Sequence, residues 1–249
     1  MNDLQTYFEN NNGRLIHKWL HYFDVYDAHF SRFRGKDIKI LEIGVSQGGS
    51  LQMWRSYFGP EAKIYGVDIN PDCKNLEEEN IKIFIGSQSD RSFLRKIRDE
   101  IGPVDILIDD GGHTMTQQIV SFEELYSLVK TDGVYLCEDC HTSYWIRFGG
   151  GYRRQGTFIE FAKNKIDQLN AWHSHQKEFQ VDDFTRSAKS MHFYDSIVVI
   201  EKGVVQAPTH RKTGTYSFAV EPDSNSLSTR IYYYLNYVLR MFRLPSIKF

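Results

Sequence analysis

Two sets of polar residues in this chain have the types and spacing that chemistry needs. The first is Asp109-Asp110-Gly111-Gly112-His113 together with Glu138-Asp139, each following a short apolar run. Four carboxylates on neighbouring segments repel one another unless something positive sits among them, and oxygen donors alone favour a hard divalent ion such as magnesium. The alternative is that some of these carboxylates cap the helices that follow. Histidine changes charge near neutral pH, so His113 suits removal of a proton from an alcohol, and a bound metal would acidify and orient the same hydroxyl. The second set is Glu42-Ile43-Gly44-Val45-Ser46-Gln47-Gly48-Gly49-Ser50, with Asp68 after Tyr65-Gly66-Val67. A glycine turn admits a ligand close to the backbone, the helix behind it offers free N–H groups, and an acid at the next strand tip accepts from ribose hydroxyls. A nucleoside-containing cofactor is therefore expected here.

Elements that hold such groups at one edge are legible in the hydropathy pattern. Residues 38–43, 63–68, 81–85, 104–108 and 133–137 read as strands, with helical stretches such as 91–100 and 117–129 between them. This alternation predicts right-handed crossovers and a parallel sheet. Residues 191–194 and 197–201 flank Asp195-Ser196 and read as an antiparallel hairpin, giving seven strands in an α/β fold. Ligands in such sheets bind outside the carboxyl ends of the strands, so Ser87, Gln88 and Ser89 after the third strand fall where an adenine would lie. Leu15, Trp19, Tyr22, Phe23, Tyr26 and Phe30 recur at helical spacing and predict a helix over 15–33. The domain reading is an N-terminal helical segment (1–36), a catalytic α/β domain (37–202), and a linker with an aromatic amphipathic helix (203–249, the helix at 231–242). That helix is expected to pack on its own domain or on a second subunit, with peripheral membrane contact as the lesser alternative.

Glycine spacing decides between cofactors. A dinucleotide site wants G-x-G-x-x-G, which Gly44, Gly48 and Gly49 do not give. Glu42 suits a ligand with a positive end, such as the amino group and sulfonium of S-adenosylmethionine. The 249 residues carry a net charge of −2, which offers no basic field for nucleic acid. No apolar stretch reaches the length of a membrane span, and the first residues lack the features of a signal peptide. Three cysteines argue for a reducing, cytoplasmic setting, and the C-x-x-C-H spelling at 137–141 is rejected as haem attachment because Cys137 ends a buried strand.

These motifs in combination make the chain resemble the metal-dependent O-methyltransferases of macrolide-sugar tailoring. The resemblance runs from Trp19-Leu20-His21-Tyr22-Phe23 to Phe193-Tyr194-Asp195-Ser196-Ile197. It implies the Rossmann-like class I methyltransferase fold, a mostly parallel seven-stranded sheet ending in an antiparallel hairpin. It also implies transfer of a methyl group from S-adenosylmethionine to a sugar or glycan hydroxyl. A homo-oligomer is expected. Within that resemblance Asp110, Glu138 and Asp139 hold magnesium and His113 is the base. Glu42, Gly44 and Asp68 fall on cofactor positions, with Ser50, Ser87, Gln88 and Asp109 as additions. Gly112 stands where serine is common. The acceptor is expected near His141, Tyr144, Trp145 and Arg147, at the start of a glycine- and arginine-rich lid over 144–157. Two other readings remain: an S-adenosylmethionine-binding tailoring component without methyl transfer, and a nicotinamide-dependent oxidoreductase.

Overall fold

The computed structural model describes residues 2–218 and 227–247. These divide into two compact units, Met1–Pro208 and Thr209–Phe249. The first unit is built on one seven-stranded sheet of order β3-β2-β1-β4-β5-β7-β6. The strands are β1 Lys39–Ile43, β2 Lys63–Asp68, β3 Ile81–Ile85, β4 Val104–Asp109, β5 Val129–Cys137, β6 Ala188–Phe193 and β7 Val198–Lys202. Strands β1 to β5 are mutually parallel, and β7 enters antiparallel between β5 and β6. Strand order reverses between β1 and β4, which opens a crevice at their carboxyl ends.

Both faces of the sheet are covered. On one face α1 (Asp3–Glu9), α2 (Tyr22–Phe30) and α3 (Gly49–Phe58) bury an aromatic cluster. Its centre is Trp54, with Tyr26 edge-on at 5.1 Å and Phe30 at 5.9 Å. Removing each such ring from water stabilises the fold by about 1.5–3 kcal/mol. On the other face lie α4 (Arg91–Ile101), α5 (Met115–Leu125) and α6 (Phe158–Leu169), closed off by α7 (Asp183–Ser187). The N-terminal helices share a core with the sheet, so residues 1–36 belong to the same unit as the strands.

The expected helix over 15–33 begins only at Tyr22; residues 11–20 are irregular chain. The periodicity misled because Trp19 and Leu15 are exposed while the Lys18 side chain is buried, an inversion of the helical stripe. In the second unit α8 spans Leu227–Met241 and carries no buried residue. Part of the expected linker, residues 219–226, lies outside the described residues. Among the described residues no helix is long and apolar enough to cross a membrane.

Candidate active site

The β1 turn is fixed by a close approach. Gly44 has φ +97°, and a Cβ there would fall 1.9 Å from the carbonyl oxygen of Asp110. Any side chain at 44 would push the tips of β1 and β4 apart. The Asp110 amide donates to the Ile43 carbonyl at 2.9 Å, so the two tips are locked together. Asp68 accepts from the amides of Val45 and Ser46, both at 2.9 Å, and from Asn70 at 2.8 Å. A carboxylate offers about four acceptor sites, which leaves Asp68 one for a ligand hydroxyl.

Gln88 ties the third tip to the fourth. Its side-chain amide donates to Asp109 at 3.0 Å and to Ser121 at 3.1 Å, and its carbonyl accepts from Gly112 at 2.6 Å. Gly44, Asp68, Ser87 and Gln88 thus line one cleft of about 240 Å³, with Ile69 and Gly112 completing its walls. Gln88 shapes that wall, because its amide is already committed inward.

Two of the expected cofactor residues lie beneath the cleft surface. Glu42 and Asp109 are both fully buried, and neither lines the two cavities beside Gly44. Glu42 accepts from Ser50 at 2.8 Å and from the Trp54 indole at 3.1 Å; burial pushes its carboxyl up to about 7 against the pull of Lys18. Burial likewise pushes Asp109 up to about 7, opposed by the bond from Gln88. Both act from beneath the turns they were expected to present. Ser50 does line a cavity, the one beside Gly44 and Asp110 under residues 15–18.

The remaining carboxylates are not helix caps. Thr114 caps α5 through a reciprocal bond set with Gln117, and Asp139 makes no capping bond to the turn that follows it. Asp110 and Glu138 instead converge on Lys18. Its Nζ lies 2.5 Å from Asp110 Oδ2, 2.8 and 3.0 Å from the two Glu138 oxygens, and 3.9 Å from Glu42. Burial alone would drive this lysine toward the neutral amine; Asp110, Glu138 and Glu42 outweigh that and hold it charged. Burial also pushes the Glu138 carboxyl well up, and neighbouring Asp110 adds to the effect.

Asp139 accepts from the Tyr22 hydroxyl at 2.7 Å and turns its other oxygen toward His113 Nε2, 3.4 Å away. His113 sits at φ +56° after its two glycines, with Thr142 donating to its carbonyl at 2.9 Å and its Nδ1 buried without a partner. One donor atom each from Asp110, His113 and Asp139 lie within 4.8 Å of one another. The two carboxylate oxygens suit a hard divalent cation, with the imidazole beside it. Of the three expected metal ligands, the structure brings Asp110 and Asp139 to this cluster and leaves Glu138 with Lys18.

Around this cluster stand exposed rings. His141 packs edge-on against Trp145 at 4.6 Å and Trp19 at 5.9 Å, and Arg147 stacks on Trp145 at 4.8 Å. Tyr144 is half exposed beside them. Lys18 and Trp19 were missed as site residues. No local motif marks them, since their role comes from an irregular segment crossing the strand tips.

Comparison with known proteins fits this geometry. A family profile described as a methyltransferase domain matches residues 41–140. The 8-demethyl-8-(2-methoxy-alpha-L-rhamnosyl)-tetracenomycin-C 3'-O-methyltransferase of Streptomyces olivaceus is 37% identical over 196 residues, 74% of this chain and 50% of that protein. The mycinamicin VI 2''-O-methyltransferase of Micromonospora griseorubida is 36% identical, covering 74% of this chain and 49% of its own length. The demethylmacrocin O-methyltransferase of Streptomyces fradiae is 34% identical, covering 76% and 51%. Among solved structures, the MycE methyltransferase of the mycinamycin biosynthetic pathway, in complex with Mg and SAH, superposes with a TM-score of 0.72 at 33% identity, covering 81% of this chain and 54% of that one. The chain spans about half the length of the curated relatives it matches.

Proposed function

Because the chain belongs to the methyltransferase family that includes the mycinamicin VI and demethylmacrocin O-methyltransferases, we propose that it moves a methyl group from S-adenosylmethionine to a sugar hydroxyl of a glycosylated acceptor, with magnesium as the metal. The observation that carries this reading is that two cavities share a wall. Gly44, Ser46 and Asp110 line both the nucleoside-sized cleft and the cavity that reaches Asp139. A cofactor in the first is thereby adjacent to a proton acceptor and a cation site at the second.

Each residue has a task in that reading. Asp68 holds the turn of β1 and keeps one acceptor site for a ribose hydroxyl. Asp110 and Asp139 hold the metal, with Glu138 joining them if Lys18 withdraws. A bound magnesium would supply polarisation of the acceptor oxygen, lowering its pKa. His113 takes the hydroxyl proton through Nε2, and the carboxylates of Asp139 and Asp110, 3.4 and 3.9 Å away, stabilise the imidazolium that results. Trp145, His141, Tyr144 and Trp19 offer ring faces to a sugar, and Arg147 stiffens Trp145 by stacking on it. Direct methyl transfer needs in-line geometry, so positioning supplies much of the rate.

The test is incubation with S-adenosylmethionine, magnesium and a rhamnosylated polyketide bearing free sugar hydroxyls. Formation of S-adenosylhomocysteine with a methylated acceptor is the expected result. Cofactor binding with no product from a panel of glycosylated acceptors would favour the tailoring component without transferase activity. Binding of NAD in place of S-adenosylmethionine would favour the oxidoreductase.

A further inference from the structure

Lys18 is the buried cation of the site, and it comes from a segment with no regular structure. Its side chain is 3% exposed, although Leu15, Trp19 and Leu20 around it are more than half exposed. Both oxygens of Glu138 are taken by its Nζ, as is one oxygen of Asp110. Glu138 itself is 1% exposed and is the carboxylate that the metal reading most needs and the structure least offers.

We propose that Lys18 is an internal competitor for the divalent cation, holding Asp110 and Glu138 when the metal is absent and giving way when it binds. This rests on the magnesium reading above. Asp110 is the shared arm: Oδ2 meets the ammonium at 2.5 Å, while its side chain also contributes a donor atom to the cluster with His113 and Asp139. A doubly charged ion at that cluster and an ammonium across one carboxylate repel strongly in a partly dry site. Asp110, Glu138 and Glu42 also repel one another when no cation lies among them. A positive group at this point relieves that repulsion, and the lysine is the one the fold supplies by itself.

The anchoring of the segment permits such an exchange. The carbonyls of Arg14 and Leu15 lie against Gly49 at the start of α3, where a Cβ would meet each of them at 2.4 Å. Lys18 follows three residues later on irregular chain, so its withdrawal breaks no helical or strand hydrogen bond. Lys18 also lines the cavity beside Gly44 and Ser50, so its withdrawal enlarges that space. That cavity shares Gly44, Ser46 and Asp110 with the nucleoside-sized cleft.

The experiment is a Mn2+ titration of the full chain, wild type and Lys18→Met, reading free Mn2+ by electron paramagnetic resonance. The variant is expected to bind Mn2+ about tenfold more tightly, or better. In parallel, acetylation of Lys18 in the wild type by an amine-reactive ester, read by peptide mass spectrometry, should accelerate severalfold when Mn2+ is added. Equal or weaker Mn2+ affinity in the variant, with the wild type binding normally, overturns the competition and leaves the magnesium reading standing. Failure of both proteins to bind Mn2+ overturns the metal reading and the competition together. Should the variant not fold, unchanged labelling of Lys18 in Mn2+-loaded wild type overturns the proposal by itself.

Discussion

The two halves of the cleft are built over different distances along the chain. Around Gly44, Asp68 and Gln88 the bonds close between consecutive strand tips: Asp68 reaches back 23 residues to Val45, and Gln88 forward 21 to Asp109. Around Asp110, His113 and Asp139 the partners are remote: Lys18 lies 92 residues from Asp110 and 120 from Glu138, and Tyr22 lies 117 from Asp139. The half around Asp68 and Gln88 is a property of the sheet. The half around Asp110 and Asp139 is assembled on that sheet by an N-terminal segment. A half made of strand tips is rigid by construction, whereas a half completed by irregular chain can change state.

The contrast can be broken most severely at His113. His113→Ala should lower turnover by about 10²- to 10⁴-fold while leaving S-adenosylhomocysteine affinity unchanged. Near wild-type turnover would remove the base assignment, and loss of Mn2+ binding would make the imidazole a metal ligand. Next comes Asp68→Ala, which frees the amides of Val45 and Ser46 and removes the remaining ribose acceptor. Calorimetric affinity for S-adenosylhomocysteine should fall by about 10- to 100-fold, the loss of charge-assisted hydrogen bonds. Unchanged affinity would place the nucleoside elsewhere and dissolve the distinction between the halves.

A smaller effect sharpens the comparison. Trp145→Ala should raise KM for a sugar acceptor by about 3- to 10-fold, the range expected for losing one ring face, with cofactor affinity untouched. An equal loss of cofactor affinity would show that the rim and the cleft are a single unit.

The smallest effect is on stability, at the far end of α2. Glu201 accepts from His29 at 2.6 Å and is paired with Arg32. Burial alone would raise its carboxyl; the bonds from His29 and Arg32 outweigh burial and hold it down at about 2, below its ordinary 4.5. A depressed folded-state pKa contributes stability that is complete above the unfolded value and is lost as pH falls toward the folded one. Glu201→Gln should therefore lower the melting temperature at pH 7 by about 2–4 °C. The gap to wild type should shrink steadily below pH 4.5. A gap independent of pH would show that shape, and not charge, ties α2 to β7.

Much of the first half was legible because its signals are local. The turn glycines, the acid at the tip of β2 and the polar run after β3 each sit next to the strand that positions them. Strand ends were read to within a few residues, since apolar runs bounded by glycine or acid leave little freedom. The burial of Glu42 and Asp109 was not legible. A strand's final residues alternate between faces, and only packing decides that these two carboxylates point under the turn, toward Trp54 and Gln88, and away from the cleft. The helix expected over 15–33 failed for a related reason. Its stripe is real from Tyr22 onward, but residues 11–20 are irregular chain that carries the Lys18 side chain down to Asp110 and Glu138, which no periodicity registers.

The sequence by itself determined the α/β class, the strand-tip edge where the candidate site lies, and the identity of the acids and the histidine placed there. It did so because hydropathy period and turn chemistry are short-range properties. Tertiary structure alone decided which carboxylates face solvent, which are sealed, and which cation meets them. Those outcomes depend on desolvation and on charges brought together from opposite ends of the fold, and a buried ammonium is stable only where the completed fold delivers its carboxylates.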